Sequence, residues 1–460
     1  MRVAVVGAGP AGVRAVQGLV AAGVRPTWID EAPDGGGRIY QRPPPGLARD
    51  AGTLYGAEAA RATALHAALD ALKPASDWRP DTLAWHVRPA ARRLHLVSRG
   101  RASSADYDAV VLCTGAMDRV IPVPGWTLPG VTTLGGAQIA LKTQGCAIGR
   151  RVAFVGTGPL LWLVAWQYLK SGATVAAVLD TTPFATKASQ AVGLLRGAAT
   201  LAKGLRYVAG VRLAGVPVGE GVVPLGIDGD GASGATGLRW RDAAGREHRV
   251  DCDAVAIGWG LRPEAQLADL AGVPFRHDPL LHEWVPERDA AGRTPVEGVY
   301  LAGDGAGIGG AELAELAGER AALALLGDAG HGVDTARALA LDRRIAAQWR
   351  FRAALERAFP FPSALARAVA DDTVLCRCEG LTAGALRAAA AAGAGTGPTD
   401  DLNRAKAVTR TGMGRCQGRL CAPVAAEVLA AACGGDVVGI GRLRGQPPVK
   451  PLPLSVGDPG

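Results

Sequence analysis

Short apolar runs alternate along the chain with segments of helical spacing, and this order predicts an α/β fold. The first apolar run is Val3–Val6, and the apolar positions from Val13 to Val20 that follow it have the spacing of a helix. A second strand is predicted at Pro26–Ile29. A strand, a helix and a second strand in this order are typical of the first unit of a Rossmann-like domain.

A glycine-rich turn, residues 7–12, joins the first strand to the first helix. Gly7 permits a tight turn, Gly9 lets the backbone approach a pyrophosphate, and Gly12 lets the helix pack closely on the strand. The helix N-terminus then points its free N–H groups at phosphate. The sequence therefore predicts a dinucleotide site, with a glycine turn that binds no ligand as the alternative. The turn residues that we assign to this site are Gly7, Gly9, Pro10, Ala11 and Gly12.

Acidic and glycine residues in three later segments extend the predicted site. The second strand ends at Asp30 and Glu31, where a carboxylate accepts hydrogen bonds from ribose hydroxyls. A glycine loop follows, and an apolar strand at 107–112 leads into a close-packed turn. A third apolar strand delivers an aspartate, which can accept a hydrogen bond from a ribityl hydroxyl, onto a glycine turn. The residues assigned from these segments are Gly36, Gly37, Arg38, Thr114, Gly115, Gly303 and Asp304.

A second nucleotide-binding pattern begins at Val152. Its turn contains Gly156, Gly158 and Pro159, but Leu161 stands where the third glycine is expected. A leucine there separates helix from strand or reshapes the turn, so NAD(P) binding is an open alternative. The uncharged stretch 152–169 resembles a membrane span, but the turn inside it favours a buried strand and helix.

Composition and charge narrow the class of protein. A chain of 460 residues has room for about three domains. The net charge of +8 comes from scattered arginines without interleaved aromatic residues, so we do not predict nucleic-acid binding. Arg14 interrupts the N-terminal apolar pattern, which disfavours a secretory signal. We expect a cytoplasmic protein without a transmembrane segment, with any membrane association made through partners.

Four of the eight cysteines are clustered near the C-terminus: Cys376, Cys378, Cys416 and Cys421. Four thiolates fit either a structural zinc or an iron–sulfur cluster. The Cys-x-Cys and Cys-x4-Cys spacings are unusual for common zinc folds, and cations nearby would offset the negative charge of a cluster. We favour a [2Fe–2S] cluster over zinc. The cations are Arg377, Lys406, Arg410, Arg415 and Arg419.

Three segments carry a likeness to a known group: 125–133, 156–161 and, most specifically, 410–421. In these segments the chain resembles the FAD-containing α subunits of bacterial dye-linked amino-acid and imino-acid dehydrogenases. That group includes opine oxidases, D-hydroxyproline and proline dehydrogenases, and the flavoprotein subunits of hydrogen cyanide synthase. The C-terminal module is similar to bacterioferritin-associated ferredoxin. Glu31 is preferred to Asp30 as the ribose ligand by analogy with related flavoproteins, and relatives often have Gln in place of Arg38.

The resemblance implies an α/β flavoprotein with two dinucleotide-binding domains, FAD at the first nucleotide site and a [2Fe–2S] cluster on the four cysteines. The partners that it implies are a FAD-containing β subunit of the sarcosine/glycine-oxidase type, a small ferredoxin-like subunit, and an electron acceptor. The leading hypothesis is an electron-transfer subunit of an amine or imino-acid dehydrogenase, with no catalytic residue of its own for the substrate. The alternatives are a stand-alone NAD(P)H-dependent FAD and iron–sulfur reductase, and a scaffold with zinc.

The predicted domains follow from the positions of these motifs. Residues 1–120 and 262–330 form the FAD-binding domain, and 121–261 form the NAD(P)-like domain. A helical linker at 331–363 leads to a helical [2Fe–2S]-binding domain at 364–435, and 436–460 is an extended proline-rich tail.

Overall fold

A central parallel strand organises the first domain of the computed structural model, which describes residues 1–47, 49–392 and 400–453. Strand β1 (Val3–Val6) has all four side chains buried. Val3 and Val5 pack in a core with helices, whereas Ala4 and Val6 pack in a second core against an antiparallel sheet. Burial on both faces explains why the strand is a continuous apolar run.

The first 118 residues form a parallel sheet in the order β7-β1-β2-β3 and an antiparallel sheet of β4, β5 and β6. The glycine turn leads from β1 into a helix whose apolar residues are buried. The elements are α1 (Pro10–Ala21), β2 (Thr27–Ile29), α2 (Ala51–Tyr55), α3 (Ala59–Leu72), β3 (Asp77–Arg79), β4 (Thr82–Arg88), β5 (Arg93–Ser98), β6 (Arg101–Asp106), β7 (Ala109–Leu112) and β8 (Ala116–Asp118).

A second parallel sheet, in the order β12-β11-β10-β16-β9, forms the second domain, and β13, β14 and β15 form an antiparallel meander beside it. The uncharged stretch from residue 152 is a buried strand and helix, as predicted. The elements are β9 (Val131–Thr133), α4 (Leu134–Thr143), β10 (Arg151–Thr157), α5 (Pro159–Lys170), β11 (Thr174–Asp180), α6 (Phe184–Ser189), α7 (Ala191–Leu194), α8 (Ala198–Leu213), β12 (Val218–Glu220), β13 (Val223–Asp230), β14 (Gly234–Arg241), β15 (Glu247–Asp251) and β16 (Ala254–Trp259).

The chain then returns to the first domain. Strand β20 pairs in parallel with β7 and so extends the first sheet, while β17 pairs with β8. Helix α10 packs closely on α1. Only glycine fits at position 318, since a Cβ there would lie 2.0 Å from the carbonyl oxygen of Ala11. The elements are β17 (Leu261–Pro263), α9 (Gln266–Leu270), β18 (Phe275–Asp278), β19 (Glu283–Pro286), β20 (Val299–Leu301) and α10 (Ala311–Asp328).

A small helical module follows a long linker helix. Together with the helices, the two parallel sheets described above confirm the predicted α/β fold class. Asp334 caps the linker helix, and Thr382 and Asp401 cap two helices of the module, because their side chains accept backbone N–H groups of the first turn. The elements are α11 (Thr335–Ala358), α12 (Ser363–Arg367), β21 (Val374–Cys376), β22 (Leu381–Thr382), α13 (Ala383–Ala391), α14 (Leu402–Thr409), α15 (Ala422–Ala432) and α16 (Val437–Ile440).

The expectation of an extended tail over 436–460 is wrong at its start. Asp436 caps the short helix α16, and Val437 and Ile440 are buried against the module, so this turn of helix is stabilised by apolar packing. The part of the predicted tail at 454–460 lies outside the described residues. Among the residues that the structure describes, no helix combines the length and the hydropathy needed to cross a membrane.

Glu283, Arg119 and Arg262 form a buried ion cluster. The Glu283 carboxylate lies 2.9 Å from Arg262 Nε and 3.7 Å from Arg119 Nη2, and its side chain is 6% exposed. Although burial alone would raise the pKa of Glu283, the two guanidinium groups hold that pKa below its usual range. Glu283 is therefore a buried carboxylate that stays ionised because it is paired.

Candidate cofactor-binding site

A cavity of about 1200 Å³ lies between the two domains and is the place where most of the predicted nucleotide-site residues meet. Thirteen of them line it: Gly7, Gly9, Pro10, Ala11, Asp30, Glu31, Gly37, Arg38, Thr114, Gly115, Pro159, Gly303 and Asp304. Gly12, Gly36, Gly156 and Gly158 do not line this cavity. Such a volume lies slightly above the usual range for small-molecule sites, about 300–1,000 Å³, and is large enough for a dinucleotide.

The glycine turn has the close contacts that a dinucleotide fingerprint needs. Gly7 has φ +106°, and a Cβ there would lie 2.2 Å from the carbonyl oxygen of Cys113. A Cβ at Gly12 would lie 1.9 Å from the carbonyl oxygen of Gly7. Only glycine fits at these two positions, and the tight turn leads directly into α1. The first residues of α1, Pro10 and Ala11, line the cavity, so the N–H groups at this helix end face it.

Asp30 and Glu31 have different environments although they are adjacent. The Asp30 carboxylate accepts hydrogen bonds from the backbone N–H groups of Ala8, at 2.5 Å, and Ala32, at 2.8 Å, and burial raises its pKa. It therefore holds the glycine turn to the end of β2. The Glu31 side chain is 39% exposed at the cavity and is the freer of the two to accept ribose hydroxyls. Their roles toward FAD stay predictions.

Three cations surround Glu31. Arg38 Nη2 lies 3.3 Å from Glu31 Oε1, and the ammonium group of Lys450 contacts Oε2. Burial alone would raise the pKa of Glu31, but Lys450, Arg38 and the more distant Arg419 outweigh it and lower that pKa. Lys450 belongs to the C-terminal tail, so the far end of the chain contributes to the first nucleotide site.

The predicted segments around Thr114 and Asp304 both line the cavity. The Thr114 hydroxyl donates to the carbonyl oxygen of Glu264, and the Glu264 N–H donates to the carbonyl oxygen of Gly115 at 2.9 Å. Asp304 Oδ1 accepts hydrogen bonds from the N–H groups of Gly309 and Gly310, both at 2.9 Å. Within the described residues Oδ2 of Asp304 has no such donor, which leaves it available for a ribityl hydroxyl.

The second nucleotide pattern differs from the first in the turn. Strand β10 continues through Thr157, two residues into the predicted turn, and Leu161 is fully buried in the core between α5 and the sheet. Asp180, at the end of β11, corresponds to the ribose-binding position. Its carboxylate is instead buried and bonded to Thr157 at 3.1 Å and to Lys187 Nζ at 2.9 Å. Burial raises the pKa of Asp180, and Lys187 opposes this rise.

Lys142 is a buried cation on the cavity wall that the sequence analysis missed. Its ammonium group donates to the carbonyl oxygen of Ile39 at 3.2 Å and lies 5.9 Å from the ring centroid of Tyr55. Burial lowers the pKa of Lys142 to about 8, with Glu58 giving a smaller opposing effect. A cation that has no ion pair among the described residues favours an anionic ligand in the cavity. No sequence motif indicated it, because Lys142 lies in the last turn of an ordinary helix.

The four clustered cysteines approach one another between the end of β21, where Cys376 and Cys378 lie, and the loop before α15, which holds Cys416 and Cys421. The Cys421 thiol hydrogen-bonds with the sulfurs of Cys376 and Cys416, and Cys416 also hydrogen-bonds with Cys378. The pKa of Cys376 is lowered to about 6 and that of Cys416 to about 5, mainly by the Cys421 contact and also by backbone N–H groups, while burial opposes the shift. Thiolates that accept backbone N–H groups are suitable ligands for iron.

The arrangement of the cysteine group does not by itself identify a metal. Over the described part of the chain, no group of three or more His, Cys, Asp or Glu side chains is arranged to hold a metal ion. The iron–sulfur cluster on the four cysteines therefore stays a prediction. The cysteine loop also borders the nucleotide cavity, since Cys416, Arg419 and Leu420 line it.

Comparisons with known proteins agree with this geometry. Residues 1–321 match the pyridine nucleotide-disulphide oxidoreductase family. The chain is 36% identical to the opine oxidase A subunit of Agrobacterium tumefaciens (strain Ach5), over 98% of this chain and 90% of that protein. It is 31% identical to the HcnB subunit of hydrogen cyanide synthase from Pseudomonas protegens, over 99% of this chain and 97% of that protein.

The solved structure of L-proline dehydrogenase from P. horikoshii is similar in fold. It superposes with a TM-score of 0.69 and 18% identity, over 98% of this chain and 78% of that chain. The sequence resemblance to opine oxidase A subunits and the hydrogen cyanide synthase flavoprotein subunit is thereby confirmed, as is the two-domain flavoprotein fold. The family match ends before the cysteine module and does not test the iron–sulfur prediction.

Proposed function

Because this chain belongs to the pyridine nucleotide-disulphide oxidoreductase family and is an FAD-dependent oxidoreductase, we propose that it is the electron-relay subunit of an amine or imino-acid dehydrogenase complex. Its partner would be a FAD-containing catalytic subunit that oxidises the substrate. FAD in the cavity and a [2Fe–2S] cluster on the four cysteines would, when bound, carry the electrons. The protein would supply their positions, their charge environment and the exclusion of water.

The contact between the cysteine loop and the nucleotide cavity is the observation that carries this proposal. Arg419, between Cys416 and Cys421, binds Glu264 through two hydrogen bonds of 2.5 Å and 3.1 Å. Glu264 is in turn bonded through its backbone to Thr114 and Gly115, which line the cavity. Arg419 therefore joins the predicted cluster loop to the predicted flavin turn, which supports a short electron path between the two.

The burial of Asp180 argues against the NADH-dependent form of the stand-alone reductase. NAD is ordinarily bound by a free carboxylate at the end of β11 that accepts ribose hydroxyls. Here Lys187 binds that carboxylate, lies 3.1 Å from Glu220 and is 5.9 Å from the ring centroids of Trp162 and Phe359. Breaking such a buried pair costs about 3–5 kcal/mol. NADH would have to overcome that cost before it could bind in the ordinary way.

An exposed apolar surface on helices α6, α7 and α8 supports a protein partner. Segment 184–213, which forms these helices, contains five Lys and Arg residues and no Asp or Glu. Several of its residues also line the cavity, among them Leu201 and Tyr207. We assign this surface to the catalytic subunit, because electrons must enter beside the flavin and exposed apolar patches mark interfaces. Its exposed apolar residues are Phe184 at 66%, Val192 at 80%, Leu195 at 62%, Leu205 at 58% and Leu213 at 89%.

Metal and flavin analysis of the anaerobically purified chain tests the redox centres. The proposal predicts about one FAD, two irons and two acid-labile sulfides per chain, together with a visible spectrum of both flavin and cluster. One zinc and no iron would contradict the cluster, and would leave a flavoprotein scaffold as the better description.

Copurification tests the docking surface separately. Leu205→Asp is expected to release the catalytic subunit from the tagged chain, because it buries a charge in an apolar contact. The matched control is Val438→Asp, an equally polar change at a half-exposed valine on α16. Retention of the partner by Leu205→Asp, or its loss from both variants, would refute the assignment of this surface.

A further inference from the structure

The tail that follows α16 folds back onto the first domain. Arg442 donates to both carboxylate oxygens of Asp269, at 2.6 Å and 2.7 Å, and its guanidinium group stacks 3.9 Å from the ring centroid of Phe275. The N–H group of Gly445 also donates to Asp269. The tail is therefore anchored on α9 and β18 before it reaches the cavity.

Val449 joins the tail to both the first domain and the cysteine loop. Its side chain is 3% exposed and packs in the core beneath the antiparallel sheet. Its N–H donates to the carbonyl oxygen of Trp85 at 3.0 Å, and its carbonyl oxygen accepts a hydrogen bond from Arg419 Nη1 at 2.6 Å. Arg419 thus binds the tail and Glu264 with the same guanidinium group.

The next residue, Lys450, lines the cavity beside Glu31. Val449 and Lys450 line the cavity together with Glu31, and the lysine ammonium group contacts the glutamate. A carboxylate has about four acceptor positions, so Glu31 can bind Lys450 and Arg38 and still accept a ribose hydroxyl. The cations at this end also suit the two negative charges of a pyrophosphate.

We propose that the C-terminal strap, residues 446–450, closes the adenosine half of the FAD site, with Lys450 as the residue that positions Glu31 for the ribose hydroxyls. Arg419 belongs to the cysteine loop and the strap follows that loop in sequence, so the FAD site is complete only when the C-terminal module is folded against the first domain. This inference rests on FAD as the cofactor and does not depend on a partner subunit or on the direction of electron flow.

The rate at which FAD leaves the full-length protein tests the strap. Flavin fluorescence, which rises on release, would be followed after dilution of Lys450→Ala, Lys450→Arg and a chain that ends at Gly445. We expect about a fivefold faster release from Lys450→Ala, near-normal release from Lys450→Arg, and a still faster release from the shortened chain. The matched control is Arg444→Ala, because Arg444 is an exposed cation of the same tail and its side chain has no ion pair among the described residues.

Iron content and far-ultraviolet circular dichroism of each variant would show whether the module is still folded. Faster release from Lys450→Ala with iron and fold unchanged, and Arg444→Ala like the unaltered protein, would support the strap. Release from Lys450→Ala at the unaltered rate would overturn it, and so would equal acceleration by both alanine variants. If the unaltered protein binds no FAD, the cofactor assignment itself fails, which is a distinguishable outcome.

Discussion

Replacement of Lys142 by methionine should stabilise the FAD-free protein at neutral pH. The pKa of this lysine falls from 10.5 to about 8 because burial disfavours the charged ammonium group. At about 1.4 kcal/mol per pK unit, the charged form in the folded state costs on the order of 3 kcal/mol below pH 8. Methionine has a similar length without this cost, but loses a hydrogen bond to Ile39 worth about 1 kcal/mol. The net expected gain is about 2 kcal/mol.

The pH dependence of that gain identifies its cause. Between about pH 8 and 10.5 the unfolded chain binds a proton at Lys142 that the folded chain has lost, so the stability of the unaltered protein rises with pH through this window. The methionine variant has no such proton, so the difference in the free energy of unfolding between the two proteins should shrink as the pH rises.

Urea unfolding of both FAD-free proteins at pH 7 and pH 9.5, followed by tryptophan fluorescence, measures the gap. The matched control is Lys170→Met at an exposed lysine on α5, which should change stability little at either pH. A methionine variant less stable than the unaltered protein at pH 7, or a gap that does not shrink with pH, would refute the reasoning.

Three further predictions concern the fold and the two redox sites. Glu283→Ala should lower the free energy of unfolding by about 3–5 kcal/mol, because Arg119 and Arg262 would be left buried without their partner; denaturant unfolding that shows a loss under 1 kcal/mol would contradict this. Gly12→Ala should yield protein with little bound FAD, because the new Cβ would lie 1.9 Å from a carbonyl oxygen of the same turn; a normal flavin absorbance per chain would contradict it. Cys416→Ser should purify with FAD but without iron, and iron content equal to that of the unaltered protein would show that this cysteine is not a ligand.

Local patterns predicted the elements of the fold well, because each depends on residues close in sequence. The apolar run of β1 and the glycines of the following turn lie within a dozen residues of one another. The first strand, turn and helix were therefore correctly predicted from this short segment. The caps at Thr382 and Asp401 are equally local contacts, because their side chains bond to N–H groups two or three residues on.

Contacts between distant parts of the chain were not predictable in this way. Lys450 meets Glu31 across 419 positions, and no periodicity or motif joins a lysine in a proline-rich tail to the end of the second strand. Lys187 is seven residues from Asp180, yet only the packing of α6 brings its ammonium group onto that carboxylate. The short helix α16 was missed because it is stabilised by two residues, Val437 and Ile440, that the module buries.

Stopped-flow absorbance of the FAD- and cluster-loaded chain tests the relay function most directly. The protein would be mixed anaerobically either with the proposed catalytic subunit and an amine substrate, or with NADPH or NADH. The relay predicts bleaching of flavin and cluster absorbance at the rate of turnover in the first mixture and none in the second. Rapid bleaching by a pyridine nucleotide alone would contradict the relay and would establish a reductase.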